Sequence, residues 1–85
     1  MKNWSTYLLK CSDHSLYCGV TKDFKARLKE HNGGAASKYT RSRLPVELVA
    51  IRQDLTKSQA HKLEYRVKKS PKHKKVQVLK DWPIR

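Results

Sequence analysis

Five polar residues are of types, and at spacings, that could break a phosphodiester bond: Tyr7 in Thr6-Tyr7-Leu8-Leu9, Tyr17 in Leu16-Tyr17-Cys18-Gly19-Val20, then Arg27, His31 and Glu64. That reaction needs an activated water, a base for its proton, cations on the phosphate oxygens and a group to stabilise the leaving oxygen. Arg27 stays charged and presents a planar fork of donors, which suits non-bridging oxygens rather than proton abstraction. His31 can exchange a proton near neutral pH, and Tyr7 or Tyr17 could do so beside a cation that favours the phenolate. Spacing leaves the base open among these three. Glu64 is the one carboxylate of 7 that falls on an apolar helical stripe, where a divalent cation or a basic partner would offset its charge. One carboxylate with waters suits a single Mg²⁺ or Mn²⁺ ion.

The tyrosines lie in short strand-like runs, Trp4 to Cys11 and Leu16 to Val20, joined by the turn-forming Ser12-Asp13-His14-Ser15. If Ser12, Asp13 and His14 form the loop of a β-hairpin, Cys11 faces Ser15, Leu9 faces Tyr17 and Tyr7 faces Gly19. Side chains alternate along a strand, so this register puts both tyrosines on one face. A two-residue turn would split them. The longer loop asks His14 for left-handed backbone.

Thr21 and Asp23 open a helix through His31 that Asn32-Gly33-Gly34 closes. Phe24, Arg27, Leu28 and His31 share its inward stripe. From Gly33 to Leu44 small and basic residues follow without a period, which reads as a loop ended by Pro45. Val46 to Ile51, apolar at five of six positions, reads as a third strand covered on both faces. Thr56-Lys57-Ser58-Gln59 matches a capping box before the stripe Ala60, Leu63, Glu64, Val67. Ser70-Pro71 stops that helix and offers an N-cap and first-turn proline for a last one. There Val76 and Leu79 dock, and Lys72, Lys74, Lys75 and Lys80 form a solvated basic face. The order is β-β-α-β-α-α, an α+β fold.

Its 85 residues make one small domain, 1–85, with room for about one site. The 20 Lys and Arg against 7 Asp and Glu give a charge of +13, a self-repulsion that a polyanion relieves. Nucleic acid, DNA in the first place, is the expected partner. No apolar run reaches bilayer-spanning length and no signal-peptide core follows Met1, so a cytoplasmic location is expected and a membrane is not. Cys11 and Cys18 read as packing thiols. A zinc site built from Cys11, His14 and Cys18 lacks a fourth ligand. Nothing in the sequence sets an oligomeric state.

Each site residue also has an ordinary role. The tyrosines suit strands as packing residues, Arg27 and Glu64 could pair between helices, and His31 could serve the helix dipole. His14, His61 and His73 read as surface histidines. Joint occurrence favours chemistry, because a simple binder needs Lys and Arg but has no use for Glu64 on an apolar face.

These residues resemble the GIY-YIG nuclease superfamily, with Thr6-Tyr7-Leu8 as the first tripeptide and Tyr17-Cys18-Gly19 as the second. The likeness runs from about Trp4 to Leu79 and is nearest to the small stand-alone bacterial branch, in which Lys38-Tyr39-Thr40 and Glu64-Tyr65-Arg66 have counterparts. It implies a three-stranded antiparallel sheet flanked by helices, one divalent metal on Glu64, Arg27 on the scissile phosphate, Tyr17 as general base, and Tyr7 and His31 assisting. The chain departs from the pattern at Thr6, where the family has glycine, and at Cys18, where it has isoleucine.

The expected function is a metal-dependent endonuclease that cuts DNA at structures or damage, since no motif looks like a base reader. Lys38, Arg41, Arg43 and the Lys68 to Lys75 region are expected to touch backbone phosphates. Tyr39 would stack on a base or tuck against the core. The competing readings are a non-catalytic nucleic-acid-binding module of the same fold and a structural protein of a ribonucleoprotein.

Overall fold

The computed structural model describes residues 1–84. Strand β1 (Trp4–Lys10), buried from Ser5 through Leu9, is the middle of a three-stranded antiparallel sheet. Strands β2 (Leu16–Thr21) and β3 (Glu47–Leu55) are its edges. The hairpin has the expected register, with Tyr7 opposite Gly19 and Leu9 opposite Tyr17. The Cys11 N–H donates to the Ser15 carbonyl at 2.9 Å, and His14 takes φ 66°. Asp13 fixes the loop by accepting from the Ser15 N–H at 3.0 Å and the Ser15 hydroxyl at 2.5 Å.

Helix α1 (Phe24–Asn32) starts at Asp23, whose carboxylate accepts from the Ala26 N–H at 3.2 Å. It ends where Gly34, at φ 81°, reverses the chain. The N–H groups of Gly34 and Ala35 donate to the carbonyls of His31 and Glu30, both at 3.0 Å. Helix α3 (Lys57–Lys69) has its capping box: the Gln59 N–H reaches the Thr56 hydroxyl at 3.1 Å, and the Thr56 N–H reaches the Gln59 side chain at 2.9 Å.

Alternation along β1 builds a core on each face of the sheet. Leu8 joins Cys18, Ala50 and Leu55 beneath α3 and α4 (Lys75–Asp81), which supply Ala60, Leu63, Val67 and Leu79. Tyr7, Leu9, Cys11 and Val46 meet Phe24 and Leu28 of α1 on the other face. The thiols of Cys11 and Cys18 are free and buried in these separate layers, which rules out both a disulfide and a shared zinc ion. Burial first, then the Glu64 charge, pushes the Cys18 thiol up to about 12, so it packs as a neutral group.

Four details differ from the sequence reading. The strand covered on both faces is β1, because the chain crosses from the β2 edge to place β3 on the far side; Leu48 and Val49 of β3 are exposed. The segment read as a loop holds a one-turn helix, α2 (Lys38–Arg41), started by Ser37, whose hydroxyl accepts from the Tyr39 N–H at 3.1 Å. Ser70 donates back to the Arg66 carbonyl at 2.8 Å, so it ends α3; a short 3-10 turn at Lys72–Lys74 follows from Pro71 without a side-chain cap. Lys75 is not on the solvated face: its ammonium donates to the Val67 carbonyl at 2.8 Å and the Lys68 carbonyl at 3.2 Å, closing the C-terminus of α3. Among the described residues no helix is long and apolar enough to cross a membrane.

Candidate active site

A buried hydrogen-bonded row links Tyr7, His31 and Thr40. The Thr40 hydroxyl lies 3.3 Å from the Ser37 carbonyl, which can only accept, so it donates there and accepts from His31 Nδ1 at 2.8 Å. Nδ1 therefore carries the ring proton. Nε2 is left as the acceptor for the Tyr7 hydroxyl at 2.9 Å. Burial first, then the Arg27 charge, lowers the His31 pKa below its usual 6.5, with Glu30 opposing weakly, so a neutral imidazole is the form this row requires. Burial, with Tyr17 adding, holds Tyr7 well above the ordinary tyrosine range against the pull of Arg27.

Gly19 is the floor beneath Tyr7. A Cβ there would lie 2.5 Å from the Tyr7 hydroxyl oxygen, 2.6 Å from its Cζ and 3.2 Å from Cε2 of Tyr17. A glycine weakens a strand interior; here close approach of two aromatic rings requires it.

Tyr17 is half-buried, edge-on to His31 with centroids 5.2 Å apart and stacked on Tyr39 at 5.9 Å. The Arg43 guanidinium lies 3.9 Å from the Tyr39 ring centre. It donates to Asp13 at 3.0 Å and to the Tyr39 carbonyl at 2.8 Å, while the Ser12 N–H donates to the Arg43 carbonyl at 2.9 Å. Hydrogen bonds from Ser15, with Arg43 adding, hold the Asp13 carboxyl below the usual carboxylate range. The hairpin tip and the α2 segment thus lock together and hold the Tyr17 ring. A shallow cleft of about 270 Å³ opens at this sheet edge, lined by Leu16, Tyr17, Cys18, Tyr39, Lys68 and Lys75.

Glu64 approaches the same region from the opposite face of the sheet. Thr6 holds α3 there by donating from its buried hydroxyl to the Ala60 carbonyl at 2.9 Å, one turn before Glu64. The charges of Glu64 and Arg27 both act on the Tyr7 hydroxyl, in opposite senses, and Arg27 also acts on His31. The five residues singled out from the sequence therefore share one electrostatic neighbourhood.

The Glu64 side chain is 21% exposed, at the margin of its apolar stripe rather than inside it. Its oxygens face His61 Nδ1 at 3.5 Å and Lys68 Nζ at 3.4 Å, so its ion pairs are with these two and not with Arg27. Both contacts are longer than good charge-assisted hydrogen bonds, and solvent reaches the carboxylate. Among the described residues no group of three or more His, Cys, Asp and Glu gathers to hold a metal. The donor set fits a hard cation that keeps most of its ligands as water, as Mg²⁺ does.

Lys38 and Arg41 are exposed on α2, Tyr39 has Tyr17 and Arg43 against its ring, and Arg43 is committed to Asp13. Sequence reasoning named Thr40 and Thr6 but missed their hydrogen bonds to His31 and to α3, and it missed the Asp13–Arg43 tie and the His61 contact. Only Thr40 had a legible signal: Ser37 is a capping residue, and a turn started there would point Thr40 inward.

The profile of the GIY-YIG catalytic domain matches residues 3–77. The UPF0213 proteins of Staphylococcus aureus strains Mu50 and N315 are each 44% identical over 81 residues, covering 95% of this chain and 99% of theirs. The solution structure of a UPF0213 protein from Bacillus halodurans is 40% identical with a TM-score of 0.56, covering 91% of this chain and 82% of that one. A protein from E. faecalis, also solved by NMR, is 39% identical with a TM-score of 0.62, over 94% and 88% of the two chains. The matched span takes in both tyrosine tripeptides and the helices that bring Arg27, His31 and Glu64 to them, and the chain belongs to the GIY-YIG nuclease superfamily, in its branch of small single-domain bacterial proteins.

Proposed function

We propose that this protein is a metal-dependent endonuclease of the cytoplasm that hydrolyses nucleic-acid phosphodiesters, DNA in the first place, with little sequence selectivity. The observation that carries the reading is the occupation of His31: both its nitrogens are bonded inside the fold, to Thr40 and Tyr7. With His31 closed off and Tyr7 held as a phenol, Tyr17 is the titratable hydroxyl left to take a proton from water at the cleft. Arg27 clamps the non-bridging oxygens of the phosphate, and Tyr7 keeps lone pairs to orient a water. Glu64 would hold one Mg²⁺ or Mn²⁺ ion, which when bound supplies charge to the phosphate and the leaving oxygen.

A second reading, a binding module without catalysis, draws on one observation: His61 and Lys68 already lie against the Glu64 carboxylate. Incubation with plasmid, branched DNA and RNA in Mg²⁺, Mn²⁺ or EDTA separates the two. Cleavage that EDTA abolishes supports the nuclease. Binding of all substrates with cleavage of none supports the module.

A further inference from the structure

The face of α3 turned away from the sheet carries Lys62, Tyr65, Arg66 and Lys69, spaced i, i+3, i+4 and i+7 and all exposed. Tyr65 is 58% exposed, with the Lys69 ammonium 5.2 Å from its ring centre. Beside it Trp82 is 38% exposed, with the Arg66 guanidinium 4.8 Å from its ring centre. Trp82 is not a loose tail residue. Arg52 reaches across from β3 and donates to the carbonyls of Leu79, Lys80 and Trp82 at 3.4, 3.3 and 2.5 Å. Two hollows of about 510 and 580 Å³ open beside the indole, one against Lys62, Pro83 and Ile84 and one against Tyr65 and Arg66.

This surface has two costs in water. Glu64 is the single acid among the 13 residues of α3 and is engaged by His61 and Lys68, so nothing on the helix offsets Lys62 and Arg66, which repel at i, i+4. The exposed rings leave apolar area uncovered. One class of ligand relieves both: a flexible polyanion with flat, unpaired bases. A duplex offers the charge but keeps its base faces in its own stack.

We propose that this face binds single-stranded nucleic acid, with bases on Tyr65 and Trp82 and phosphates on Lys62, Arg66 and Lys69. The proposal rests on the reading of nucleic acid as substrate and deepens it. The contact lies on a different side of α3 from Glu64, so it selects substrates with an unpaired segment beside the scissile bond.

The chain has 2 tryptophans, so a Trp4→Phe variant leaves Trp82 as the reporter. Its fluorescence is titrated in EDTA with oligothymidylate of about 12 nucleotides, a length within the range of known single-strand sites. Saturable quenching is expected. In the full chain, Tyr65→Ala and Trp82→Ala should each weaken binding of the labelled oligonucleotide by roughly 10-fold, while Tyr65→Phe and Trp82→Phe keep most of the affinity because a flat ring remains. Thermal unfolding confirms that each variant is folded. Absence of quenching at saturation overturns the proposal, as does wild-type affinity in both alanine variants, equal ring-dependent binding of a duplex, or equal displacement of the oligonucleotide by polyglutamate. The readout needs no cleavage. Ring-dependent binding by a protein that cuts nothing would sink the nuclease reading alone, and cleavage with ring-independent binding would sink this face alone.

Discussion

The Tyr7 hydroxyl lies 2.9 Å from His31 Nε2, and the proton between them belongs to Tyr7, because Thr40 fixes the other nitrogen as the donor. This reverses the obvious assignment for a histidine beside a tyrosine. In the proposed mechanism His31 therefore holds a phenol in place over Gly19 rather than taking a proton from water, and the base is Tyr17.

The first prediction concerns that floor. Gly19→Ala puts a methyl 2.5 Å from the Tyr7 oxygen, so the ring must move off His31. Overpacking of this kind costs about 1–3 kcal/mol. A misplaced active-site group costs on the order of 100-fold in rate. Urea unfolding and single-turnover cleavage measure the two effects, and wild-type values of both would mean that the ring position is unimportant.

The second is a pH dependence of stability. His31 in the fold has its pKa below the usual 6.5, so between those two values the unfolded chain binds the proton and the native one does not. Stability from this group is complete above pH 6.5 and is lost as pH falls through the window below it. The urea midpoint of the wild type should drop more steeply below that pH than the midpoint of His31→Gln. Parallel profiles would contradict the neutral assignment.

Removal of single hydroxyls should separate the tyrosines. Tyr7→Phe strips the donor from a buried imidazole nitrogen and should cost about 1–3 kcal/mol of stability. Tyr17→Phe keeps its ring contacts with His31 and Tyr39, leaves stability near wild type and loses more cleavage than Tyr7→Phe. If Tyr17→Phe cuts at the wild-type rate, Tyr17 is not the base.

Arg27→Ala should lower the single-turnover rate on the order of 100-fold to 1000-fold, as expected for a donor aimed at developing charge, with little change in affinity. Because Arg27 depresses the His31 pKa, the same variant should narrow the window of pH-dependent loss from its acid side and reduce the stability lost across it. Equal losses of rate and affinity would make Arg27 an ordinary phosphate contact.

The hairpin register was legible because one local choice, a loop of Ser12, Asp13 and His14, decides which residues face each other, and Asp13 and His14 suit that loop. The caps at Asp23 and Thr56 were legible for the same reason: each is a bond between near neighbours. The edge position of β3 was not, since an apolar run says that a strand is wanted but not where in the sheet it lies. The bond from His31 to Thr40 spans 9 residues across a segment with no period, and α2, a single turn, is too short to show one. The exposure of Glu64 depended on how α3 docks, which Thr6 helps to set through a hydroxyl at the position where the family has glycine.

Whether Glu64 holds the metal is tested by single-turnover cleavage by Glu64→Gln in Mg²⁺, beside oligonucleotide binding in EDTA. The substitution keeps the shape of the side chain and removes the charge that His61 and Lys68 now face. Cleavage should be lost while folding and binding persist. Cleavage by Glu64→Gln at the wild-type rate, still abolished by EDTA, would contradict that assignment by placing the metal elsewhere.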